Sequence, residues 1–390
     1  MNGTVKQQVD SNTAAAGRSV LITSLEELEP LETEWRALAV TRENLQVTPD
    51  FYRAWAESYK SAAHPFVPAV FDDDGRLRGL LPLVITRDTM RHVQFAGANF
   101  WMPFHPVARP EDEEELGVAA GHLLALHRKE WRALTFDHVP SDAHWPDALA
   151  EALMHDYGRG LYKRRAEHPW LVVEMPDGWD EYMAGRSTKF RHEQRRIERR
   201  MTESHKVTLR ETTTAEELHD DLETLFRFHS QRRSELGGST YDEPAMRKTI
   251  EDFAASALAN GWLRLRVMKL DGEDAALTLC FRVGSRCACY ILSWDPRWAS
   301  ISLGRIMMNE GILAAACDGV HEYELSVGWS RYKAAFATSQ RTAYTTWFYP
   351  RRTAILFTLR RIARRSVPTP IRRILGRGIR SAAGRVDMPS

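Results

Sequence analysis

One order of elements occurs twice along this chain, and that repetition limits the fold more than any single motif. In the first half "PFVPAVF" and "LRGLLPLVI" flank the turn "DDDG", followed by the strand-like "HVQFAGA", the helix-like "DEEELGVAAGHLLALHRK" and the strand-like "WRALTFDHV". In the second half "WLRLRVMKL" and "AALTLCFRV" flank "DGED", followed by "RCACYILSW", the helix "SLGRIMMNEGILAAACDG" and "HEYELSV". Alternation with a period of two marks the strands, and a period near 3.6 marks the helices. Both halves therefore read β, turn, β, β, α, β, with turn glycines Gly75 and Gly272 about half the chain apart. This predicts a mixed α/β fold of two duplicated domains, each a twisted, largely antiparallel sheet flanked by helices.

At 390 residues the chain is long for one core, which agrees with two domains. No apolar run approaches the eighteen or so residues needed to span a bilayer. The opening "MNGTVKQQVDSNTAAAGR" is polar and lacks the apolar segment of a secretory signal, so a disordered tail and a cytoplasmic address are expected. The expected divisions are a tail over 1–18, a first domain over 19–168, a second over 169–350 and a basic tail over 351–390. Cys280, Cys287, Cys289 and Cys317 fit neither a zinc knuckle nor a CxxC pair and read as reduced thiols on strands. The histidines form neither HExxH nor another close cluster, so no metal is expected.

Between the repeats, "AEHPWLVVEMP" reads as a strand entering the second unit and Trp179–Met201 as one charged helix. Ala215–Arg233 and Ala245–Leu258 read as amphipathic helices, with Leu218, Leu222, Leu225, Phe226 and His229 on one face of the former. His229 there is either a satisfied core histidine or a substrate contact. Arg186–Lys206 carries eight basic residues, which suits a solvated face or the phosphates of a ligand.

Chemistry concentrates where "CACYILSWD" gives way to "SISLGRIMMNE". A helix N-terminus presents unpaired N–H groups and partial positive charge, and Gly304 has no Cβ to hold a pyrophosphate away. On local spacing alone Ser302 reads as an N-cap and Gly304 as a packing contact. Glu324, within "EYELSV", is either a carboxylate crowded by apolar neighbours, and so a general base, or a carboxylate on the solvent rim.

The elements "KFRHEQRRIERR", "DGEDAALTLCFRVGSRCACYILSWDPRWASISLGRIMMNEGI" and "YELSVGWSRYKAAFA" resemble the GNAT-type acyltransferases associated with bacterial cellulose and exopolysaccharide biosynthesis. Those are similar to the Fem peptidyl transferases, which also pair two GNAT-like units. The resemblance runs over about residues 20–350, more weakly in the first half through "WRAL", "PDFYRAWAESY" and "DDDGRLRGLLPLV". Asp295 and Pro296 match the family's "DP", Ser302 and Gly304 its "SPG" with Leu303 for proline, and Tyr332 and Lys333 its "YK". Glu324 stands where the family usually has aspartate, and Val327–Ser330, "VGWS", replaces its "RGDE". Of the general signature Q/R-x-x-G-x-G/A, matched against Ala299, Ser302 and Gly304, only the last position fits.

The resemblance implies acyl transfer by direct attack, from acetyl-CoA or another acyl-CoA to an amine or hydroxyl of a carbohydrate or other envelope precursor. It assigns catalysis to Glu324, Tyr332, Lys333 and Asp295, with Tyr332 protonating the thiolate. The coenzyme falls to Leu292, Ser293, Ser302, Leu303, Gly304 and Arg305, with an oxyanion donor among the N–H groups near Leu292 or Ser293. The acceptor falls to Lys189, Arg191, Arg195 and His229, in a cleft between the halves. A Fem-like transfer from aminoacyl-tRNA is the alternative, and the sole one in which nucleic acid is a partner. The loss of "RGDE" motivates a third reading, a non-catalytic scaffold.

The segment from Arg351 onward holds eleven arginines and one acid, Asp387, so the remainder of this nearly neutral chain is net acidic. Ile355, Leu356, Leu359, Ile362 and Ala363, then Ile371, Ile374, Leu375 and Ile379, recur at helical spacing on either side of Pro368 and Pro370. Two basic amphipathic helices suit a peripheral anchor on an anionic membrane, or docking in cis on the acidic remainder.

Overall fold

The structure is a computed structural model, and it describes residues 18–100, 102–158, 160–234 and 238–350. The expected N-terminal tail up to residue 17 and the arginine-rich segment 351–390 lie outside the described residues. Among the described residues no helix is long and apolar enough to cross a membrane.

The first half runs β1 (Ser19–Ile22), α1 (Leu25–Leu28), α2 (Glu32–Thr41), α3 (Pro49–Ser58), β2 (Ala63–Pro65), β3 (Val67–Phe71), β4 (Leu77–Leu80), β5 (Leu83–Thr86), β6 (His92–Phe95), β7 (Val107–Ala108), α4 (Glu113–Leu126), β8 (Ala133–Pro140) and α5 (Trp145–Tyr157). The long strand β9 (Gly160–Glu174) leads to α6 (Gly178–Ala184), α7 (Thr188–Ser204), β10 (Val207–Glu211), α8 (Ala215–Arg233), α9 (Pro244–Ala259), β11 (Leu263–Leu270), β12 (Glu273–Val283), β13 (Arg286–Trp294), α10 (Leu303–Cys317), β14 (Glu322–Val327), α11 (Arg331–Phe336) and β15 (Ser339–Pro350). Every element of the repeated order is present, and Gly75 and Gly272 turn their hairpins at φ +79° and +89°, where a side chain would be strained.

Two departures from the sequence reading have local causes. "LRGLLPLVI" is two strands, because Pro82 has no N–H to continue a ladder; β4 enters a four-stranded sheet ordered β1-β3-β4-β7, and β5 enters the large one. The charged helix expected over 179–201 is α6 and α7. Ser187 starts the second by accepting the Phe190 N–H at 3.2 Å, and Arg191 closes the first by donating to the Met183, Ala184 and Arg186 carbonyls. By contrast α8 has the expected bounds, since Thr214 and Glu217 form a capping box at its start.

The large sheet has eleven strands in the order β10-β11-β12-β13-β14-β9-β15-β8-β6-β5-β2. β9 pairs β15 from Gly160–Pro350 to Val172–Ser339, while β9 also pairs β14 and β15 also pairs β8. The two repeats thus share one continuous sheet, and position 168/169 falls within β9. The pairs β6–β8 and β13–β14 are parallel, in equivalent places around α4 and α10, and all other pairings are antiparallel. The halves also share apolar packing: Phe51 of α3 meets Phe253 of α9 edge-on at 5.2 Å, and Ser256 donates to Asp50 at 2.6 Å.

Candidate functional site

β13 and β14 begin as neighbours and then separate. Their register runs Arg286–Glu322, Cys287–Tyr323 and Ala288–Glu324, and no pair follows. β13 continues against β12 as far as Trp294, whereas β14 shifts register against β9 after Glu324, with Ser326 at φ +61°. A wedge opens between them. Asp295 donates its N–H to Ala275 on the β12 side, so two residues earlier Ser293 faces β12 and Leu292 faces the wedge. The Leu292 carbonyl confirms this by accepting from Arg232 Nη1 at 3.1 Å. Of the two expected oxyanion donors, the Leu292 N–H is the one directed into the opening; the Ser293 side chain is fully buried.

The wedge ends at the mouth of α10. Asp295 accepts from the Arg297 N–H and Nε at 2.9 and 2.8 Å, and these bonds outweigh its burial and hold its carboxyl below the ordinary range. Both its oxygens serve Arg297, so Asp295 shapes the turn Pro296–Ile301. Ser302 is left-handed at φ +64°, and its side chain makes no capping bond. Leu303 and Gly304 head a helix with no acidic residue in its first turn. Gly304 is required by packing, because a Cβ there would lie 2.7 Å from the Trp294 ring, and its carbonyl accepts from the Tyr332 hydroxyl at 2.6 Å.

Three cations surround this region. Arg232 stacks 3.3 Å over Trp294, and burial pushes its guanidinium down to about 10. Lys333 donates to Ser326 Oγ at 2.7 Å, and burial lowers it to about 8. Arg305 donates to Gln194 at 2.9 Å and lies over the Phe190 and Phe336 rings. Among the described residues none of the three forms an ion pair with a carboxylate. Tyr332 is 38% exposed as a residue, but its hydroxyl end is held at the Gly304 carbonyl, and burial there raises it above its usual range. Sequence reading missed Arg232, although its position one turn after His229 on α8 was a usable signal.

Glu324 stands apart from that group, and no described contact joins it to Tyr332 or Lys333. It is 6% exposed, which removes the solvent-rim reading, and burial pushes its carboxyl up to about 7 against the opposing pull of Arg286 and Arg341. The cavity it lines is closed by Phe281, Val283 and Ala288 on one side and by Glu43, Gln46 and His105 of the first half on the other.

The expected acceptor residues are dispersed. His229 shares a hydrogen bond with Ser239 at 2.7 Å, meets Tyr241 edge-on at 4.8 Å, and is pushed down to about 4, chiefly by burial. Arg191 is committed to the end of α6. Lys189 and Arg195 are exposed on α7, whose other charges include the pairs Arg196–Glu193 and Arg199–Glu203. No group of His, Cys, Asp or Glu among the described residues is placed to hold a metal ion.

This wedge lies inside the segment that has recognisable relatives. Residues 188–334 match the family model of the acetyltransferase (GNAT) domain. No curated protein matches the chain. Among solved structures, FemX is similar with a TM-score of 0.58 at 13% identity, over 84% of this chain and 98% of that one. The C-terminal DUF2156 domain of a protein named as a lysylphosphatidylglycerol synthetase from Agrobacterium fabrum gives 0.54 at 12%, over 84% and 95%. A conserved protein of unknown function from Bacteroides thetaiotaomicron gives 0.52 at 11%, over 89% and 100%. These likenesses concern the fold, which is the mixed α/β, GNAT-like arrangement expected from the sequence.

Proposed function

We propose that the protein transfers an acyl group, acetyl in the simplest case, from an acyl-CoA to an amine or hydroxyl of a carbohydrate or other envelope precursor. The observation that carries this reading is the wedge between two parallel strands, with the Leu292 N–H edge and the α10 mouth along one side, in a segment matching the GNAT domain. Strand ends that part at the carboxyl side of a parallel pair are where α/β folds receive ligands. The amides heading α10 suit a pyrophosphate, and the Leu292 N–H suits the oxyanion of a tetrahedral intermediate.

In this reading Glu324 accepts the proton of the attacking amine or hydroxyl, the new bond forms at the thioester carbon, and the C–S bond breaks. Tyr332, freed from the Gly304 carbonyl, donates its proton to the leaving thiolate. A carboxyl near 7 is matched to work at neutral pH.

The test is thiol release from acetyl-CoA across a panel of amino sugars, with Glu324→Gln beside the wild type. Turnover in the variant should fall by about two to four orders of magnitude. Thermal stabilisation by coenzyme A should be unchanged, since the substitution removes a proton acceptor and keeps the shape. A protein stabilised by aminoacyl-tRNA and indifferent to coenzyme A would overturn the donor, and a variant with wild-type turnover would overturn the base.

A further inference from the structure

The cavity at Glu324 is half built by the first repeat, whose contribution is a charged one. Glu43 follows α2 in a left-handed turn at φ +50° and reaches across the interface to the β12–β13 hairpin. There it accepts from the Ser285 N–H at 2.6 Å and the Ser285 hydroxyl at 2.9 Å. Gly284, at φ +54°, admits it: any Cβ there would occupy the position of the Glu43 carboxylate. So anchored, Glu43 lies 3.6 Å from Arg286 Nε, which also faces Glu322 at 3.4 Å. Arg286 reaches Glu324 with its Nη1 alone, at 3.9 Å, the longest of its three acidic contacts.

The other charges around Glu324 are accounted for. Arg341 of β15 is held by both Glu322 oxygens at 2.7 and 3.0 Å and by Glu174 at 3.0 Å. His105, before β7, is pushed down to about 3, chiefly by burial, and is neutral at physiological pH. Tyr290 of β13, half-buried and with its hydroxyl raised well above its usual range by burial, adds no charge. Arg286 is therefore the cation whose position decides whether Glu324 becomes an ion-pair partner or stays a proton acceptor.

We propose that Glu43 is a positioning residue for Glu324: by drawing Arg286 toward the first half, it keeps the Glu324 carboxylate from being neutralised by that guanidinium. The first repeat thereby sets the pH at which the site in the second repeat works. This rests on the reading of Glu324 as general base, and its test is independent of turnover.

The carboxyl resonances of uniformly ¹³C-glutamate-labelled full-length protein are titrated, with Glu324 assigned by its disappearance in Glu324→Gln. In Glu43→Gln the Glu324 midpoint should fall by roughly half to one pH unit, because Arg286 is released toward it and a nearby negative charge is lost. In Arg286→Gln the midpoint should rise by a similar amount, and in Glu43→Asp it should return most of the way to wild type. A merely structural Glu43 would lower the melting temperature and leave the midpoint in place, and that result overturns the proposal. So does a shift of the same sign in Glu43→Gln and Arg286→Gln. If Glu43→Gln does not fold, Ser285→Ala keeps the charge and loosens its anchor; a smaller fall is expected, and an unmoved midpoint is again contrary. Wild-type turnover in Glu324→Gln would remove the base while leaving the midpoint shifts to be read on their own.

Discussion

The two repeats place a parallel strand pair beside a helix in the same way and then treat the space beyond it differently. In the first, pairing of β6 with β8 ends at Gln94–Thr135, and the next residues on each strand are Phe95 and Phe136. Phe95 stacks on Phe104 at 5.0 Å, and Phe136 meets Trp145 at 5.1 Å, so rings fill the place where a crevice would open. The helix that follows begins with Glu113, Glu114 and Glu115, which favours the helix dipole and repels an anion. In the second repeat the corresponding opening is bordered by Arg232, Lys333 and Tyr332, and its helix starts without an acid. A duplicated unit has two uses for one wedge: filled with aromatic side chains it is a core, and left open with cations around it, it is a candidate site. The filled copy still acts on the open one, through Glu43.

The strongest way to break this comparison is Trp145→Ala. The ring is fully buried, and the Gly117 position packs directly on the Trp145 carbonyl. Loss of about 3–5 kcal/mol is expected in urea denaturation, with coenzyme A affinity of the folded protein unchanged. A loss under about 1 kcal/mol would mean that these rings do not close the first wedge.

The open copy should show the opposite economy, in which the site costs stability. Burial raises the Glu324 carboxyl in the folded chain from its ordinary 4.5 to about 7. Its favourable contribution is therefore complete below about pH 4.5 and lost as pH rises through about 7. Denaturation of Glu324→Gln beside wild type should show the variant gaining on the order of 3 kcal/mol relative to wild type between pH 4.5 and 8. A constant difference across that range would place the carboxyl in an ordinary environment.

The smallest effect sharpens the contrast at the helix mouth. Gly304→Ala drives a methyl toward Trp294, the ring beneath Arg232, and should cost about 1–3 kcal/mol in thermal or chemical denaturation. The same change should weaken coenzyme A binding measured by calorimetry. A neutral substitution would show that Trp294 can move aside, and that the glycine serves something other than close packing.

Much of the fold was legible because its signals are local. The apolar face of Leu218, Leu222, Leu225 and Phe226 marked α8, the glycine turns marked both hairpins, and the alternation of "RCACYILSW" marked β13. The resemblance of "DPRWASISLG" and "RYK" pointed to the segment 188–334 that matches the GNAT domain model. Illegible were the residues whose roles depend on distant partners. Glu43 carries no local signal, since a glutamate in a turn is ordinary until the chain folds it against Arg286, and the place of Arg232 beside His229 on α8 does not by itself say that it meets the Leu292 carbonyl. Asp295 and Arg191 are a different case: their partners lie within eight residues, and the resemblance, which assigns Asp295 to catalysis and Arg191 to the acceptor, hid those local roles.

By itself, then, the sequence determined the order of strands and helices and the turns between them, since propensity, periodicity and capping act between residues a few positions apart. Tertiary structure decided that the repeats fuse through β9 and β15 into one sheet, that the first wedge is filled and the second open, and that Glu324 is buried beside an arginine held by a residue 281 positions away. Burial and charge belong to the whole surroundings of a group, and those surroundings exist only once remote segments meet.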